Sequence, residues 1–413
     1  MSASERTIIN IEIPNKYDII PIHTSDRGTF KKCRRKWEWN SPSRRNLMRR
    51  VDVFGLTIPL WFGSGVHFAL EQFYHPVLRH DPVESFLTWY NIQYHGGIVT
   101  QDWIPRVLDP KPVKLEDGKW KVKGLNILLP YEDHSEIEAH RELGEKMLKY
   151  YKDYSRRYDN FEVLATEHDF SVPIWDYAND CILKAIDVRE ESPNYGKNLE
   201  VHYRGRIDTV WVDEQDKHGI IDHKTTSHVG DDWLKSLDLD EQVTSYNWAA
   251  EVEAKYYGLP WADKAVDHTI YQALRKTYPK LPTILQNGMF SINRQTESVS
   301  WPTLKRVIEL GGLQPLIDLD PKYQAYVEYV KEVGDEQFII RKKVRRNRHQ
   351  LISAGQRIYL EAMDMLSEPR IYPAMSAEWH CLNCPFRGPC IAMEDGQDAE
   401  FMLTNDYYSN RDR

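Results

Sequence analysis

Two short apolar segments that carry ionised side chains constrain the fold of this sequence more than any other feature. Residues 205–212 read GRIDTVWV and residues 219–226 read GIIDHKTT, and both have the β-branched pattern of strands joined by a polar turn. Asp208, Asp222 and Lys224 lie within these strands. Charged side chains are rarely buried unless a counter-charge, a hydrogen-bond network or a metal ion compensates for the lost hydration. The sequence therefore predicts that these three groups lie together.

Alternation along a strand determines which of these side chains face one another. Asp222 and Lys224 project from one face and His223 from the other. Antiparallel pairing about the turn places Asp208 opposite residues 222–224, where two carboxylates repel each other unless a divalent cation lies between them. The alternative is an Asp–Lys salt bridge on an edge hairpin, with the second carboxylate in solvent. Apolar neighbours on both faces make a buried pair with an extra acid a poor source of stability, and this favours a metal site.

The overall composition is that of an ordinary soluble globular protein with locally clustered positive charge. The 413 residues carry a net charge of −8, and this acidity argues against a uniformly basic nucleic-acid-binding protein. Basic runs at residues 31–36, 44–50 and 341–349 are either solvated helix faces or parts of one basic path. The sequence has no apolar run of about 18 residues and no N-terminal basic region followed by an apolar segment. We therefore expect a cytoplasmic protein without a membrane partner.

Helix-like patterns precede and follow a central group of strand-like patterns. This order predicts an α/β fold in which a central mixed β-sheet is flanked by helices. The polar, proline-containing stretch 102–124 is expected to be a loop or an insertion. We expect a single domain over residues 1–413, with an N-terminal helical part at 20–158, a catalytic α/β core at 159–296, a C-terminal helical part at 297–395 and a tail at 396–413.

Several sequence elements together resemble one nuclease family. The pattern D-x13-D-x-K over residues 208–224 resembles that of the PD-(D/E)XK nucleases, specifically the RecB-like branch. That branch also carries Q-x3-Y on the next helix, and here Gln242 and Tyr246 lie four residues apart on one helix face. It further carries a G-x3-H pattern on an N-terminal helix, where this sequence has Gly63 and His67. These elements occur in the order of the family and imply its restriction-endonuclease-like fold.

The resemblance implies a metal-dependent DNA exonuclease that hydrolyses phosphodiester bonds on single-stranded DNA or at DNA ends. By analogy with the family, Asp208 and Asp222 would hold one or two Mg²⁺ or Mn²⁺ ions, and His67 with the carbonyl of His223 would complete the shell. The imidazole ligand favours Mn²⁺. Lys224 would orient the attacking water or stabilise the transition state.

The same resemblance assigns supporting roles around this site. Gln242 and Tyr246 would line the path of the DNA strand and brace Lys224. Glu167 stands where the family often has an acid on the preceding strand, and we expect it to be a structural residue next to the ligands. His223 departs from the hydrophobic or aromatic residue usual in the family, but its side chain is expected to point away from the acids. Basic residues from two segments would neutralise phosphates while tryptophan and tyrosine rings stack bases, namely Arg275, Lys276, Arg341, Lys342, Arg345 and Arg346.

Three cysteines in the C-terminal part have the spacing of a metal-binding motif. Cys381, Cys384 and Cys390 form C-x2-C-x5-C, and they need a fourth ligand to complete a zinc or an iron–sulfur site. His380 and Cys33 are the two candidates. The odd total of five cysteines argues against a disulfide framework. Spacing alone favours neither zinc nor iron–sulfur.

The family resemblance favours the iron–sulfur interpretation. The RecB-like branch includes CRISPR-associated exonucleases, the AddB nuclease domain and phage relatives, in which one cysteine precedes the nuclease core and three follow it around a [4Fe–4S] cluster. Cys33, in F-x2-C-x3-W, would then be the fourth ligand, with Zn²⁺ as the alternative occupant. Such a cluster would join the N-terminal and C-terminal helical regions. Cys181 remains as a buried small apolar residue.

Two other functional classes fit parts of the pattern. One is a non-catalytic DNA-binding protein or recombination mediator that keeps the fold and the cluster, and the other is a zinc-stabilised structural partner. The full Asp–Asp–Lys set argues against both, because neither class needs all three groups. A nuclease of this kind would act in DNA recombination, DNA repair or phage DNA metabolism. A helicase or a recombination protein is a candidate partner, because the sequence has no P-loop of its own.

Overall fold

The computed structural model describes residues 13–49, 58–107, 112–128, 133–189, 192–227, 230–259, 261–293, 298–367, 379–382 and 384–409. Its strands, in chain order, are β1 (Ile20–His23), β2 (Leu47–Arg49), β3 (Gly96–Val99), β4 (Val113–Lys114), β5 (Trp120–Lys123), β6 (Phe161–Pro173), β7 (Trp175–Asp176), β8 (Cys181–Ile182), β9 (Lys184–Ile186), β10 (Asn198–Asp213), β11 (His218–Thr226), β12 (Val266–Arg275), β13 (Ile339–Val344) and β14 (Tyr407–Ser409).

The helices surround these strands. In chain order they are α1 (Thr24–Lys32), α2 (Arg34–Asn40), α3 (Ile58–Tyr74), α4 (Pro82–His95), α5 (Leu125–Leu128), α6 (Asp133–Tyr158), α7 (Asp231–Ser236), α8 (Glu241–Tyr256), α9 (Trp301–Gly311), α10 (Gln314–Leu319), α11 (Pro321–Val333), α12 (Arg348–Ser367), α13 (Trp379–Leu382), α14 (Arg387–Glu394) and α15 (Ala399–Asn405).

A mixed seven-stranded sheet forms the centre of the described chain. Its main order is β1–β10–β11–β12–β13, and β6 and β9 also pair with β10. The β10–β11 hairpin is antiparallel, whereas β11 and β12 are parallel and are connected through α7 and α8. A parallel pair needs such a crossover, which covers one face of the sheet with a helix. The mixed sheet between helices confirms the predicted fold class, and β1 and β13 join it from outside residues 159–296.

The hairpin turn is set by the side chain of Asp213. Its Oδ1 accepts hydrogen bonds of 2.9 Å from the backbone N–H groups of Gln215 and Lys217. Aspartate commonly closes turns in this way. The turn fixes the register of the two strands, so that Thr209 pairs with Ile221.

Apolar helix faces cover both sides of the sheet. On one side α8 and α12 pack through Ala249, Ile358 and Ala362 against strand residues that include Ile207. On the other side α3, α4 and α6 form a cluster rich in aromatic residues, which reaches the sheet at Leu274. Asp240 caps α8 by accepting a hydrogen bond of 2.8 Å from the N–H of Val243. The sheet is therefore held rigidly between two helical layers, which suits a site built on its strands.

The region predicted as a loop at residues 102–124 is partly ordered as a sheet. Strands β3, β5 and β4 form a three-stranded antiparallel sheet, in which Val122 of β5 and Val99 of β3 are buried against Ile104. These strands are short and carry exposed lysines, so that the sequence shows no clear alternation of apolar and polar residues there. Of the two alternatives, a loop or an insertion, the structure shows an insertion with a small sheet, in which β3 and β5 each bury one valine.

The N-terminal and C-terminal segments meet in a small apolar cluster. Strand β14 pairs with β2, and the ring of Tyr407 stacks on Phe386 at a centroid distance of 4.9 Å. Trp39 packs on the same phenylalanine at 5.5 Å. The two ends of the fold are thus held together by side-chain packing. Across the part of the chain that the structure describes, no helix is both long enough and apolar enough to cross a membrane.

Candidate active site

The two acids of the hairpin face each other on neighbouring strands. The pairing of Thr209 with Ile221 puts Asp208 opposite Asp222. The Oδ2 atom of Asp208 also accepts a hydrogen bond of 2.7 Å from the backbone N–H of His223. This bond ties the Asp208 carboxylate to strand β11. The alternation of side chains predicted that Asp208 lies opposite residues 222–224, and the strand register of the structure pairs it with Asp222.

Only one of the two carboxylate oxygens of Asp222 has hydrogen-bond partners among the described residues. Lys224 donates a hydrogen bond of 2.8 Å to Oδ1, and Gln242 Nε2 lies 3.5 Å from the same oxygen. The Oδ2 atom is buried and has no hydrogen-bond partner among the described residues. An unsatisfied buried carboxylate oxygen is costly and therefore points to a missing ligand.

His67 approaches the acids from helix α3. Its Nδ1 lies 3.8 Å from Asp208 Oδ2. Burial lowers the pKa of His67 to about 4, and the positive charge of Lys224 adds to this effect. A neutral imidazole at physiological pH is the form that binds metal ions.

Glu167 lies among the candidate metal ligands themselves, whereas the sequence predicted a structural residue next to them. One oxygen of Glu167, one oxygen of Asp208 and a ring nitrogen of His67 all lie within 4.8 Å of one another. Glu167 has a φ of 45° in the middle of strand β6, which is uncommon for a residue other than glycine. Such local strain is found where a side chain must be aimed at a functional site. Its position as an acid on the preceding strand was the signal in the sequence.

The charge balance of this group fits a divalent cation. Burial raises the pKa of Asp208 and of Asp222 to about 6, and burial together with the charge of Asp208 raises that of Glu167 to about 8. Lys224 is the neighbouring ammonium, and the two aspartates raise its pKa against the effect of burial. Oxygen donors and one imidazole nitrogen suit Mg²⁺ or Mn²⁺. A divalent ion would favour the ionised carboxylates and satisfy the free oxygen of Asp222.

His223 points away from the acids, as the alternation predicted. Its ring stacks on Tyr74 at a centroid distance of 5.6 Å, and its Nδ1 lies 2.7 Å from Gln272 Nε2. Burial lowers the pKa of His223 well below its usual value. The backbone of His223 partly offsets the lowering of the pKa of His67, which indicates that this backbone lies beside the imidazole of His67.

Two clefts adjoin the acids. The first, here called the His67 cleft, has a volume of about 750 Å³ and contains His67, Glu167, Asp208 and Lys224. The second, here called the Tyr246 cleft, has a volume of about 770 Å³ and contains Gln242 and Tyr246 together with Arg204. Arg206 lines both clefts, so that they adjoin.

Gln242 and Tyr246 differ in their surroundings. Gln242 contacts Asp222, the acceptor of the lysine, and not the lysine itself. The ring of Tyr246 is largely buried and packs edge-on against Phe170 at 5.6 Å. Burial raises the pKa of Tyr246 to about 12, and nearby Tyr203 adds to the rise. Tyr246 therefore forms the wall of its cleft as a neutral phenol.

The structure corrects the prediction that Arg341 contacts DNA phosphates. Its Nη1 forms an ion pair with Asp159 at 2.5 Å, and its Nε donates to Gln272. Its side chain is 13% exposed. The charge of Arg341 is therefore satisfied inside the fold, in a network that also contains Tyr151.

The other predicted phosphate contacts have different surroundings. Lys276 lines the His67 cleft, whereas Arg275 donates to the carbonyl of Gln337 at 3.0 Å. Arg346 is used by the fold, because it donates to the carbonyl of Leu237 at 2.6 Å and to Thr244 at 2.7 Å. Two residues are exposed, namely Lys342 and Arg345, of which Arg345 contacts Asp267 at 3.3 Å.

The candidate cluster cysteines lie in one region but do not form a compact site. Burial raises the pKa of Cys384, and the nearby Cys33 and Cys381 thiols add to the rise. Arg35 Nη1 lies 3.2 Å from the Sγ of Cys390. Within the described ranges, no three of these sulfurs lie within 4.8 Å of one another. Cys181 is exposed, which corrects the prediction that it is buried.

Comparison with known families agrees with this geometry. The model of the PD-(D/E)XK nuclease superfamily matches residues 25–391, which is most of the chain. No curated protein sequence is significantly similar to it. The superfamily implies nuclease activity on DNA with divalent metals such as Mg²⁺ or Mn²⁺. The chain belongs to the PD-(D/E)XK nuclease superfamily.

Proposed function

We propose that this protein is a DNA exonuclease of the RecB-like branch, which hydrolyses phosphodiester bonds in single-stranded DNA or at DNA ends. One observation carries the proposal. Asp208 and Asp222 are buried opposite each other beside Lys224, and one oxygen of Asp222 lacks a partner in the described chain. Structural ion pairs rarely leave an acid in this state, whereas a metal-dependent nuclease needs a coordinating oxygen there.

Three donor atoms, one each from His67, Glu167 and Asp208, lie within 4.8 Å of one another. Asp222 lies outside this group but opposite Asp208 on the neighbouring strand. Together with the carbonyl of His223 it would join His67 and Asp208 in holding Mg²⁺ or Mn²⁺, and Glu167 adds a further oxygen. When bound, the ion lowers the pKa of a water ligand and offsets negative charge on the phosphate. Glu167 is positioned to accept a proton or to complete the ligand shell.

Lys224 would act on the phosphate or on the attacking water. Its hydrogen bond to Asp222 keeps the ammonium beside the metal group, and its side chain is 32% exposed toward the cleft. The raised pKa of Lys224 keeps the group protonated at neutral pH. A fixed ammonium in this position stabilises the additional charge that develops on the phosphate in the transition state.

A [4Fe–4S] cluster is proposed for Cys33, Cys381, Cys384 and Cys390. The resemblance to the iron–sulfur nucleases of the RecB-like branch, with one cysteine before the nuclease core and three after it, favours this cluster over a zinc ion at the same cysteines. Cys33 and Cys381 influence the pKa of Cys384, which supports a common site. The cluster would add to the packing of Trp39 and Tyr407 that joins the two ends of the fold.

The pathway and partners belong to the same proposal. A nuclease that degrades DNA strands without a motor of its own would act with a helicase or a recombination protein, in DNA recombination, DNA repair or phage DNA metabolism. The adjoining clefts support a single strand as substrate, since each has the volume of a pocket for one small ligand.

The decisive experiment compares linear and circular DNA. Linear single-stranded DNA labelled at the 5′ or 3′ end should be shortened progressively with Mg²⁺ or Mn²⁺ and not with EDTA, while closed circular single-stranded DNA stays intact. Asp222→Ala should abolish the activity and leave the visible absorption of the cluster unchanged. Asp364→Ala, an exposed acid on α12, is the matched control. Absence of cleavage with either metal, in protein purified without air, would favour a DNA-binding mediator instead.

A further inference from the structure

The Tyr246 cleft contains an arginine whose charge is not neutralised. Arg204 is half-buried on strand β10 beside His23. Within the described chain, no hydrogen bond or ion pair is formed by its guanidinium group. Burial lowers the pKa of Arg204, with only partial compensation from Asp169 and Tyr257. A partly buried cation of this kind is stabilised by an anionic ligand.

The other charges of the cleft are already paired. Arg206 binds Asp169 through two hydrogen bonds of 2.7 and 3.1 Å. Arg27 forms ion pairs with Glu361 and Glu241. Arg204 is therefore the charge in this cleft that remains available to a ligand, and the ligand should be an anion.

A helix glycine keeps the same cleft open. Gly28 lies within α1, where glycine is unfavourable compared with alanine. A Cβ atom at this position would have no atom within 4 Å. By contrast, a Cβ at Gly205 would lie 2.6 Å from Phe170, so that glycine is required there by packing. No neighbour among the described residues requires glycine at position 28, but any larger side chain would project into the cleft.

The cleft adjoins the catalytic group. Arg206 lines both clefts, and Gln242 reaches from the Tyr246 cleft to within 3.5 Å of Asp222. A DNA strand whose scissile phosphate lies at the acids would therefore extend into the Tyr246 cleft with its neighbouring nucleotide. The phosphate of that nucleotide is the anion that Arg204 lacks.

We propose that the Tyr246 cleft binds the nucleotide next to the scissile phosphate, with Arg204 as the ligand of its phosphodiester group and Gly28 as the position that leaves room for the backbone. This inference rests on the proposed nuclease function and adds a substrate subsite to it. Arg204 is a substrate-positioning residue, since it acts on binding and register rather than on the reacting atoms.

The first test measures binding without cleavage. Fluorescein-labelled oligothymidylate is titrated with the full-length protein in Ca²⁺, and anisotropy is followed at several salt concentrations. Arg204→Gln should weaken binding about tenfold, as expected for one charged hydrogen-bonded contact. It should also lower the slope of log K against log salt by about 0.7, the value for one phosphate on a single strand. Arg204→Lys should keep the slope, because the charge remains.

A matched arginine outside the cleft provides the control. Arg306 is exposed on α9 and lines neither cleft. Arg306→Gln should leave the affinity and the salt slope unchanged. Equal losses for Arg204→Gln and Arg306→Gln would overturn the proposal, because they would indicate a general effect of positive charge.

The second test fills the cleft. Gly28→Leu should reduce oligothymidylate binding by about tenfold or more, and Gly28→Ala should have a smaller effect, while circular dichroism shows an unfolding midpoint equal to or above that of the wild type for both. Unchanged binding by folded Gly28→Leu would overturn the proposal. Failure of the nuclease function gives a different result, because the wild type would then cleave no DNA. If the wild type cleaves DNA but the Arg204 and Gly28 variants bind oligothymidylate as tightly as the wild type does, only the subsite proposal is contradicted.

Discussion

Lys224 donates a hydrogen bond of 2.8 Å to one oxygen of Asp222, whereas the other oxygen of this carboxylate is buried without a partner in the described part of the chain. The lysine neutralises part of the charge and leaves a coordination position free. A salt bridge formed only for stability would use both oxygens or expose one to water. The relationship therefore connects the fold of the hairpin with metal binding.

The first prediction concerns stabilisation by metal. Mn²⁺ should raise the free energy of unfolding of the wild-type protein by about 2.7 kcal/mol at a concentration 100 times Kd, because the ion binds only the folded site. Asp222→Asn removes the charge of a proposed ligand and should lose most of this increase. Thermal unfolding with EDTA or Mn²⁺ measures it. Asp364→Asn should behave as the wild type, and an equal shift in Asp222→Asn would contradict the assignment.

The second prediction concerns pH. Burial and the charge of Asp208 raise the folded-state pKa of Glu167 to about 8 from an ordinary value of 4.5. Protonated Glu167 therefore contributes stability at low pH that is lost as the pH rises through about 8. In EDTA, Glu167→Gln should match the wild type below the ordinary pKa and exceed it increasingly toward pH 8, by on the order of a few kcal/mol. Urea unfolding across this range tests it. If the free energies of unfolding of the wild type and of Glu167→Gln changed in parallel with pH, the raised pKa of Glu167 would be contradicted.

The third prediction concerns metal preference. His67 is neutral at physiological pH, because burial lowers its pKa to about 4, and it supplies the imidazole nitrogen of the group. Removal of that nitrogen should reduce the preference for Mn²⁺ over Mg²⁺, since magnesium favours oxygen ligands. His67→Ala should therefore lose more activity with Mn²⁺ than with Mg²⁺ in DNA cleavage. An unchanged ratio of the two activities would place His67 outside the ligand shell.

The fourth prediction concerns the cysteines. Cys33→Ser should remove the broad visible absorption of an iron–sulfur cluster and lower the unfolding midpoint, because a ligand that joins distant segments is lost. Cys181→Ser is the matched control, since Cys181 is exposed and remote from the trio in sequence. It should keep both the colour and the midpoint. A colourless wild-type protein that contains zinc by elemental analysis would refute the cluster.

The hairpin could be derived from the alternation along its two strands, and the fold class from the order of helix-like and strand-like patterns along the chain. The role of Glu167 could not be derived in the same way, since it depends on a φ of 45° and on the register between β6 and β10. The small sheet around Val122 was missed because its strands are too short to show a period. Arg341 is buried because it forms an ion pair with Asp159, which is distant in the sequence. The local run of basic residues could not indicate this contact.

The last prediction separates structural from DNA-binding charge on strand β13. Arg341 is buried in an ion pair with Asp159, and Lys342 is exposed one residue further along the same strand. Arg341→Gln should lower the free energy of unfolding by about 3–5 kcal/mol, because it leaves the Asp159 carboxylate without its counter-charge. Lys342→Gln should change it by less than about 0.5 kcal/mol. Urea unfolding gives both values. If Arg341→Gln instead weakened DNA binding and left the free energy of unfolding unchanged, Arg341 would contact DNA phosphates as the sequence predicted.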